Sequence, residues 1–455
     1  MALAARTLIS RSVTPILEQV SALAAAPNPG RGIIYSLSPG PDLQDTDLSN
    51  LVSQFTSIPN SIGCLSAHTN LTCDHVQPIP QATICSWAEF DMSRARIFRS
   101  TIPGRAAAQV GRWHAARKPQ HDALSDIPPP TLNGETWPRS TPTHALPTEL
   151  EDLSPEDVNA VVYFSDNSHE GITESLRSFH NASAVGMIAT STPFVTGRPF
   201  TLFHNKDIHS SGAVGMCING FTPPRHNVVF PALKAITRAC MVTSSEGNLV
   251  HTLDNKNPTE ILLHGIERHK LMVNKDVNLA FRESQFYLWV AQEDKSPEQV
   301  FRINSGDPSR GTIALEGDLA PPVGSRVQML HLPENYLDSR LPVLNRPNCR
   351  VNMNFLTVPS EPPPTLLTPL SIGVSRIPHA GEDYIHFDGM FVAASEHSFI
   401  VSRVDKNGAK ERPWKAPVPQ GYLGLGFDPT TGGLPVLKKP KKKNKKPKSS
   451  IQRNW

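Results

Sequence analysis

Between Lys118 and Asp157 the chain reads KPQHDALSDIPPPTLNGETWPRSTPTHALPTELEDLSPED, with eight prolines and no apolar periodicity. Proline locks φ and removes a backbone donor, and it pushes the residue before it out of the helical region. No helix or central strand runs through such a stretch, so the chain must order itself on either side of it. The segment reads as a disordered insertion or linker. A second proline-rich run, SEPPPTLLTPLSIG, follows from Ser360. The 43 prolines among 455 residues thus divide the chain, and two or three domains are expected.

The ordered pieces alternate in type. Gly32–Ser38 is a short β-rich run. TDLSNLVSQF follows, with Asp or Thr placed to cap a helix whose Leu48, Leu51, Val52 and Phe55 share one face. SIGCLSA then reads as a strand, with QATICSWAEF and RARIFRSTI as further candidates. Beyond the insertion the same order returns. NAVVYFSD is a buried strand, HEGITESLRSFHN an amphipathic helix with Ile172, Leu176 and Phe179 on one face, and SAVGMIATS a strand. The turn TPFVTGRP, the run FTLFHNKDI and the strand SGAVGMCING complete it. Strand, helix and strand in succession predict a mixed α/β (α+β) fold. Ala-Val-Gly-Met occurs in two of these strands, and a glycine inside a strand marks a bulge or a close approach of backbone, side chain or ligand. No period near 29 residues recurs, so this is not a repeat array.

The ends differ from the body. MALAARTLISRSVTPILEQVSALAAAPNPG is rich in Arg, Ser and Ala and has no acid before Glu18, the composition of a mitochondrial transit peptide. An untargeted N-terminal helix is the alternative. From Lys438 onward the chain carries eight Lys and Arg453 without an acid, leaving 35 basic and 41 acidic residues before it. The body is therefore mildly acidic, and net charge is no argument that it binds nucleic acid. Lys438, Lys439, Lys441, Lys442, Lys443, Lys445, Lys446 and Lys448 form a disordered tail. Such a tail can serve as a nuclear import signal, as an arm for RNA or anionic lipid, or as a solvated end. Mitochondrial localisation reconciles both ends, with nuclear or cytoplasmic placement as the alternative. No apolar run is long enough for a transmembrane helix. Six scattered cysteines without a C-x-x-C pair read as buried thiols rather than a zinc site.

IHSSGAVGMCINGF resembles the end of the N-terminal half of a FIST domain. ACMVTSSEGNLVHTLDNKNPTEILLHGI is similar to the opening of the C-terminal half: a strand with Val242-Thr243, a turn at Gly247-Asn248, a strand ending Leu253-Asp254 and a helix from Pro258-Thr259. FRINSGDPSRGTIALEGDLAPPVGSRVQML continues the resemblance, which weakens past Leu330. The resemblance implies two related α/β halves with facing mixed sheets and outer helices. It divides the chain into a transit-like segment (1–30), an N-terminal half in two parts (31–116 and 158–228) around the insertion (117–157), a C-terminal half (229–430) and a basic tail (431–455). It also implies an intracellular sensory module for a small ligand such as an amino acid. No F-box and no signalling output domain is visible.

No G-x-S-x-G elbow is present, and Ser210 and Ser211 near His204 and His209 do not by adjacency make a triad. GYLGLGF at Gly421 lacks the strand-turn-helix frame of a dinucleotide fingerprint. His251, His264 and His269 have no metal-ligand spacing. No catalytic residue, metal or cofactor is therefore assigned. The candidate ligand residues are Thr196, Gly197 and Arg198, where an arginine and turn amides could take a carboxylate, together with Ser211, Gly212 and Gly215. A plain hairpin turn with a solvated arginine is the competing reading. A protein-interaction adaptor, docked by its basic tail, is the alternative function.

Overall fold

The computed structural model describes residues 2–26, 28, 30–69, 71–73, 79–104, 146–220, 223–271, 285–291, 299–307, 311–317, 319–333, 336, 349–359, 370–372, 378–381, 383–404 and 408–427. Most of the proline-rich insertion, the second proline run up to Pro369 and the whole lysine tail lie outside them.

Three sheets are built on one four-strand pattern. In the first, Ala2–Ser10, Arg31–Ser38, Ser61–Leu65 and Thr83–Asp91 lie in the spatial order first, fourth, second, third. The second and third strands run parallel, and the other pairs are antiparallel. Ala95–Ser100, Val158–Ser165, Ser183–Ile188 and Ala213–Asn219 repeat this order and these directions. So do Arg225–Val229, Val351–Thr357, Met390–Ser395 and Tyr422–Phe427. The mixed α/β class expected from the sequence holds, and the recurrence noticed along the chain occurs three times. One face of each sheet meets a common core, which takes Ile34 and Ala88 from the first unit, Val162 and Met216 from the second, and Met353 and Leu425 from the third.

The units are interlocked. The hairpin Leu202–His204 with Asp207–His209 leaves the second unit and pairs with the third strand of the first. The hairpin Phe399–Ser402 with Trp414–Ala416 leaves the third unit and pairs with the third strand of the second. The loop after the first unit's third strand closes the circle, where Ala67 N–H donates to Ala394 O at 2.8 Å. Each unit thus covers a neighbour's sheet edge, the device that keeps exposed strands from pairing elsewhere.

What differs between units is the link from first to second strand. In the first it is the helix Thr14–Ala25, which buries Ile16 and Val20. In the second it contains the proline-rich insertion. In the third it is a closed barrel of six antiparallel strands: Cys240–Glu246, Leu249–Leu253, Thr312–Leu315, Gln299–Asp307, Gln285–Ala291 and Arg326–Leu332, the last pairing back to the first. Val250, Leu288, Ile313 and Val327 fill its interior together with Leu262 and Ile266 of the helix Pro258–Arg268. That helix starts as its sequence dictates. Pro258 stands in the first turn, and the Asn257 side chain accepts from Thr259 N and Glu260 N.

Three local expectations change. The transit-like residues Ala2–Ser10 form a strand between Thr83–Asp91 and Tyr384–Asp388, with Leu8 and Ile9 buried. A run of small and apolar residues suits a strand where a partner lies on each side. The helix read from HEGITESLRSFHN spans only Glu170–Ser175 and tightens into a 3-10 turn at Leu176–Ser178. Ile172, Leu176 and Phe179 are nevertheless all buried under it. The helix Asp45–Ser57 forms as expected but begins after Gln44 with no side-chain cap. Asp45 and Asp47 stand instead in its first turn, where the helix dipole favours acids.

Candidate functional site

The two glycine-bearing strands settle first, because they decide which candidate residues a ligand can reach. Gly186 and Gly215 both stand in register with Tyr163, on either side of it, and Gly215 is also paired with Phe98. A Cβ at Gly186 would overlap the Tyr163 ring, and one at Gly215 would overlap Phe98. Val185, Met187, Val214 and Met216 point to the common core, whereas Ala184, Ala213 and Cys217 share the outer cluster with Tyr163, Phe98 and Phe179. Glycine is required here so that aromatic rings can lie across the sheet. Gly215 is therefore filled by neighbours and offers no surface, which separates it from the other candidate ligand residues.

Those others meet near the carboxyl end of Val158–Ser165, where parallel strands of α/β sheets present their ligand sites. Asp166 follows that strand. Its Oδ2 accepts from Gly212 N at 2.7 Å and its Oδ1 from Ser168 N at 2.8 Å, while Asp166 N donates to Gly212 O at 2.9 Å. Gly212 has φ +79°, a left-handed turn that a side chain would strain. Arg99, which the sequence reading passed over, reaches into this turn. Its guanidinium donates to Ala213 O at 2.9 Å and to Ser100 O and Ser211 O. Arg99 thus holds the loop as a backbone clamp, and its buried Nε has no partner among the described residues. Burial lowers its pKa, with Asp166 and Glu149 acting in the opposite sense.

Thr196, Gly197 and Arg198 sit in an exposed turn between Ser191 and Phe200. Thr196 Oγ1 bonds Thr201 Oγ1 at 2.8 Å, and Gly197 has φ +73° with open space around it. Arg198 Nη1 donates to Ser210 Oγ at 3.0 Å. This joins the turn to the Ser211-Gly212 loop, so the structure brings together five of the six residues named from sequence. Between them lies the hairpin bearing His204 and His209. Burial depresses both imidazole pKa values. The charges of Arg99, Glu149 and Asp207 reach His204, and those of Arg99, Asp207 and Arg198 reach His209. Both Nε2 atoms are buried without a partner among the described residues. Alternation along a strand places both histidines on the inner side of the hairpin, but nothing local in the sequence says that this side meets Arg99.

A serine–histidine–carboxylate group lies nearby at the junction of the second and third units. Ser191 Oγ is 2.9 Å from His397 Nε2, and Glu396 Oε1 is 3.3 Å from the same nitrogen. In a nucleophilic triad the acid orients the base through its other ring nitrogen. Here both partners compete for one. Glu396 instead ties down the turn through Thr190 Oγ1 at 2.5 Å and Ser191 N at 2.8 Å. His251 and His264 each face one carboxylate at 3.9 Å. Among the described residues no three His, Cys, Asp or Glu side chains gather as around a metal ion, and no helix is long and apolar enough to cross a membrane.

A family model described as the FIST N domain matches residues 33–256. The match takes in the first unit from its second strand onward, the whole second unit, the opening strand of the third and the first hairpin of the barrel. Comparison with curated proteins finds no match.

Proposed function

The chain belongs to the FIST family, a class of sensory ligand-binding signalling domains, and from that premise we propose that it senses a small carboxylate, such as an amino acid or related metabolite, at the junction of its first two units. The convergence of Arg198, His204 and His209 beside the Asp166–Gly212 loop carries this reading. Arg198 is exposed and spends one N–H on Ser210, which leaves a planar fork suited to a carboxylate. Imidazoles kept neutral by burial offer one donor and one acceptor each, which suits an ammonium or hydroxyl on the same ligand. Residues 229–430, with the barrel and the third sheet, are read as the C-terminal half of the family's domain.

A thermal-shift screen of the full chain against amino acids and small carboxylates tests the proposal. A ligand should raise the melting temperature, and Arg198→Ala or His209→Ala should remove most of that rise. If none of these compounds shifts the wild-type transition, the sensor reading fails.

The mitochondrial address is proposed as one that the mature protein retains, because its residues supply a strand inside a sheet. Fractionation, with mass spectrometry of the N-terminus, tests this: a mitochondrial chain beginning near residue 30 would contradict it. For Lys438–Lys448 the proposed partner is RNA or an anionic lipid surface, and binding that does not weaken as salt rises would exclude both.

A further inference from the structure

We propose a second small-molecule site, at the seam between the third unit and the barrel, which takes a flat heterocycle with a donor and an acceptor side by side on one edge. Gln420 carries the proposal. The residue is 1% exposed, and neither Oε1 nor Nε2 has a hydrogen-bond partner among the described residues. A buried amide with both ends unpaired is among the costliest polar groups a fold can hold, so such a group calls for an explanation outside ordinary packing. The backbone adds a second sign. Gln420 has φ +60°, a conformation that non-glycine residues keep only where their surroundings impose it, and such residues cluster at ligand clamps. Gln420 N donates to Thr357 O at 2.8 Å, and Thr357 N donates to Gly421 O at 3.0 Å, so both sides of the turn are pinned.

The neighbourhood is aromatic. Val418, two residues earlier, packs with Tyr287, Leu330 and Leu332 of the barrel, and Phe230, Trp289 and Tyr336 lie against the same group. A Cβ at Gly421 would stand 3.2 Å from the Phe230 ring, and Phe230 stacks on Phe399 with centroids 6.3 Å apart and planes 14° apart. Two further buried polar atoms have no partner among the described residues: the indole N–H of Trp289, which packs against the same cluster, and Oγ of Ser398, the residue before Phe399. Apolar rings with a few fixed polar atoms are the composition of a small-molecule site. A carboxamide is satisfied at both ends by an edge that offers an acceptor beside a donor, as glutamine does with adenine. Flatness suits the ring walls. None of these residues takes part in the Arg198–His209 site, so the two proposals stand or fall separately.

The test uses the full chain with nicotinamide, uracil and adenine as probes, read by thermal shift and tryptophan fluorescence. At least one probe should raise the melting temperature saturably. Gln420→Met should raise the melting temperature of the ligand-free protein, because it removes an unpaired buried amide, and should weaken that probe's binding tenfold or more. Trp289→Phe should abolish the probe-dependent fluorescence change and carries the test if Gln420→Met does not fold. Arg198→Ala should leave probe binding unaltered. The proposal is overturned if no probe binds, if Gln420→Met folds yet binds the probe as tightly as the wild type, or if a structure with the probe shows ordered water alone on the Gln420 amide.

Discussion

Tyr163 and Gly186 face each other across a parallel strand pair, and the tyrosine ring occupies the space that a side chain on the glycine would need. The first unit repeats the relationship. Tyr35 faces Gly63, where a Cβ would stand 2.7 Å from the ring edge. In the third unit Asn354 and Val392 occupy these two positions, and Tyr422 reaches Asn354 Oδ1 with its hydroxyl at 3.0 Å. Two units thus use a glycine to lay an aromatic ring over the outer face of the sheet.

Gly186→Ala should therefore destabilise the protein by about 1–3 kcal/mol, the usual cost of overpacking a filled core. Urea titration would show it as a lower midpoint with an unchanged slope. Tyr163→Leu alone should also destabilise, but the double variant should lose less than the sum, since the smaller side chain makes room for the added methyl. Strict additivity would mean that the ring and the glycine do not constrain each other.

Deleting residues 2–30 should abolish cooperative unfolding. The deletion removes a strand hydrogen-bonded on both sides and a helix that buries Ile16 and Val20 against Tyr35, Leu51 and Trp87. It also bares two long strand edges. Circular dichroism melting and limited proteolysis would register the loss. A truncated chain that melts sharply near the wild-type temperature would show that this segment is dispensable.

Acid should weaken the fold below about pH 6.5. Burial holds the His226 pKa down to about 3, aided by the charge of Arg403, and also depresses His204, His209 and His386. A base depressed in the folded state is neutral there, while the unfolded chain takes up a proton below about 6.5. The unfolded state then binds more protons, so stability is full above pH 6.5, falls as pH drops, and levels off for His226 near pH 3. His226→Gln should flatten that slope between pH 6 and 4. An equally steep slope in the variant would assign the acid sensitivity to other groups.

Breaking the pair between Arg403 and Glu411 should cost about 3–5 kcal/mol, the range for a buried ion that loses its partner. Arg403 is 4% exposed, bonds Glu411 through Nε at 2.6 Å and Nη2 at 2.8 Å, and stacks over Trp414 with Cζ 5.5 Å from the ring centroid. Glu411→Gln should lower the denaturation midpoint clearly, whereas the exposed pair Arg96–Asp152 should give less than about 1 kcal/mol when Asp152→Asn is made. Equal effects at the two sites would contradict the role of burial.

Local pattern made much of the secondary structure legible. Gly247-Asn248 turns a hairpin, with φ +54° at the glycine, and Pro258 opens a helix, because each choice depends on a few neighbouring residues. The turns that hold Thr196, Gly197, Arg198, Ser211 and Gly212 were legible for the same reason: arginine and glycine in polar turns announce themselves. Arg99 did not, since a lone arginine near the end of a strand looks the same whether it meets water or three carbonyls. Gln420 was silent as well, because only burial turns an ordinary amide into an unpaired one.

By itself the sequence determined most strands and helices of the first two units, which follow from periodicity and backbone restriction within a dozen residues. Only the tertiary structure decided that the strand pattern closes as three interlocked units, that Ala2–Ser10 joins a sheet, and that His204 and His209 meet Arg99. Those outcomes depend on which sheet edge each hairpin finds, and edge pairing is settled by shape and burial between residues far apart in the chain.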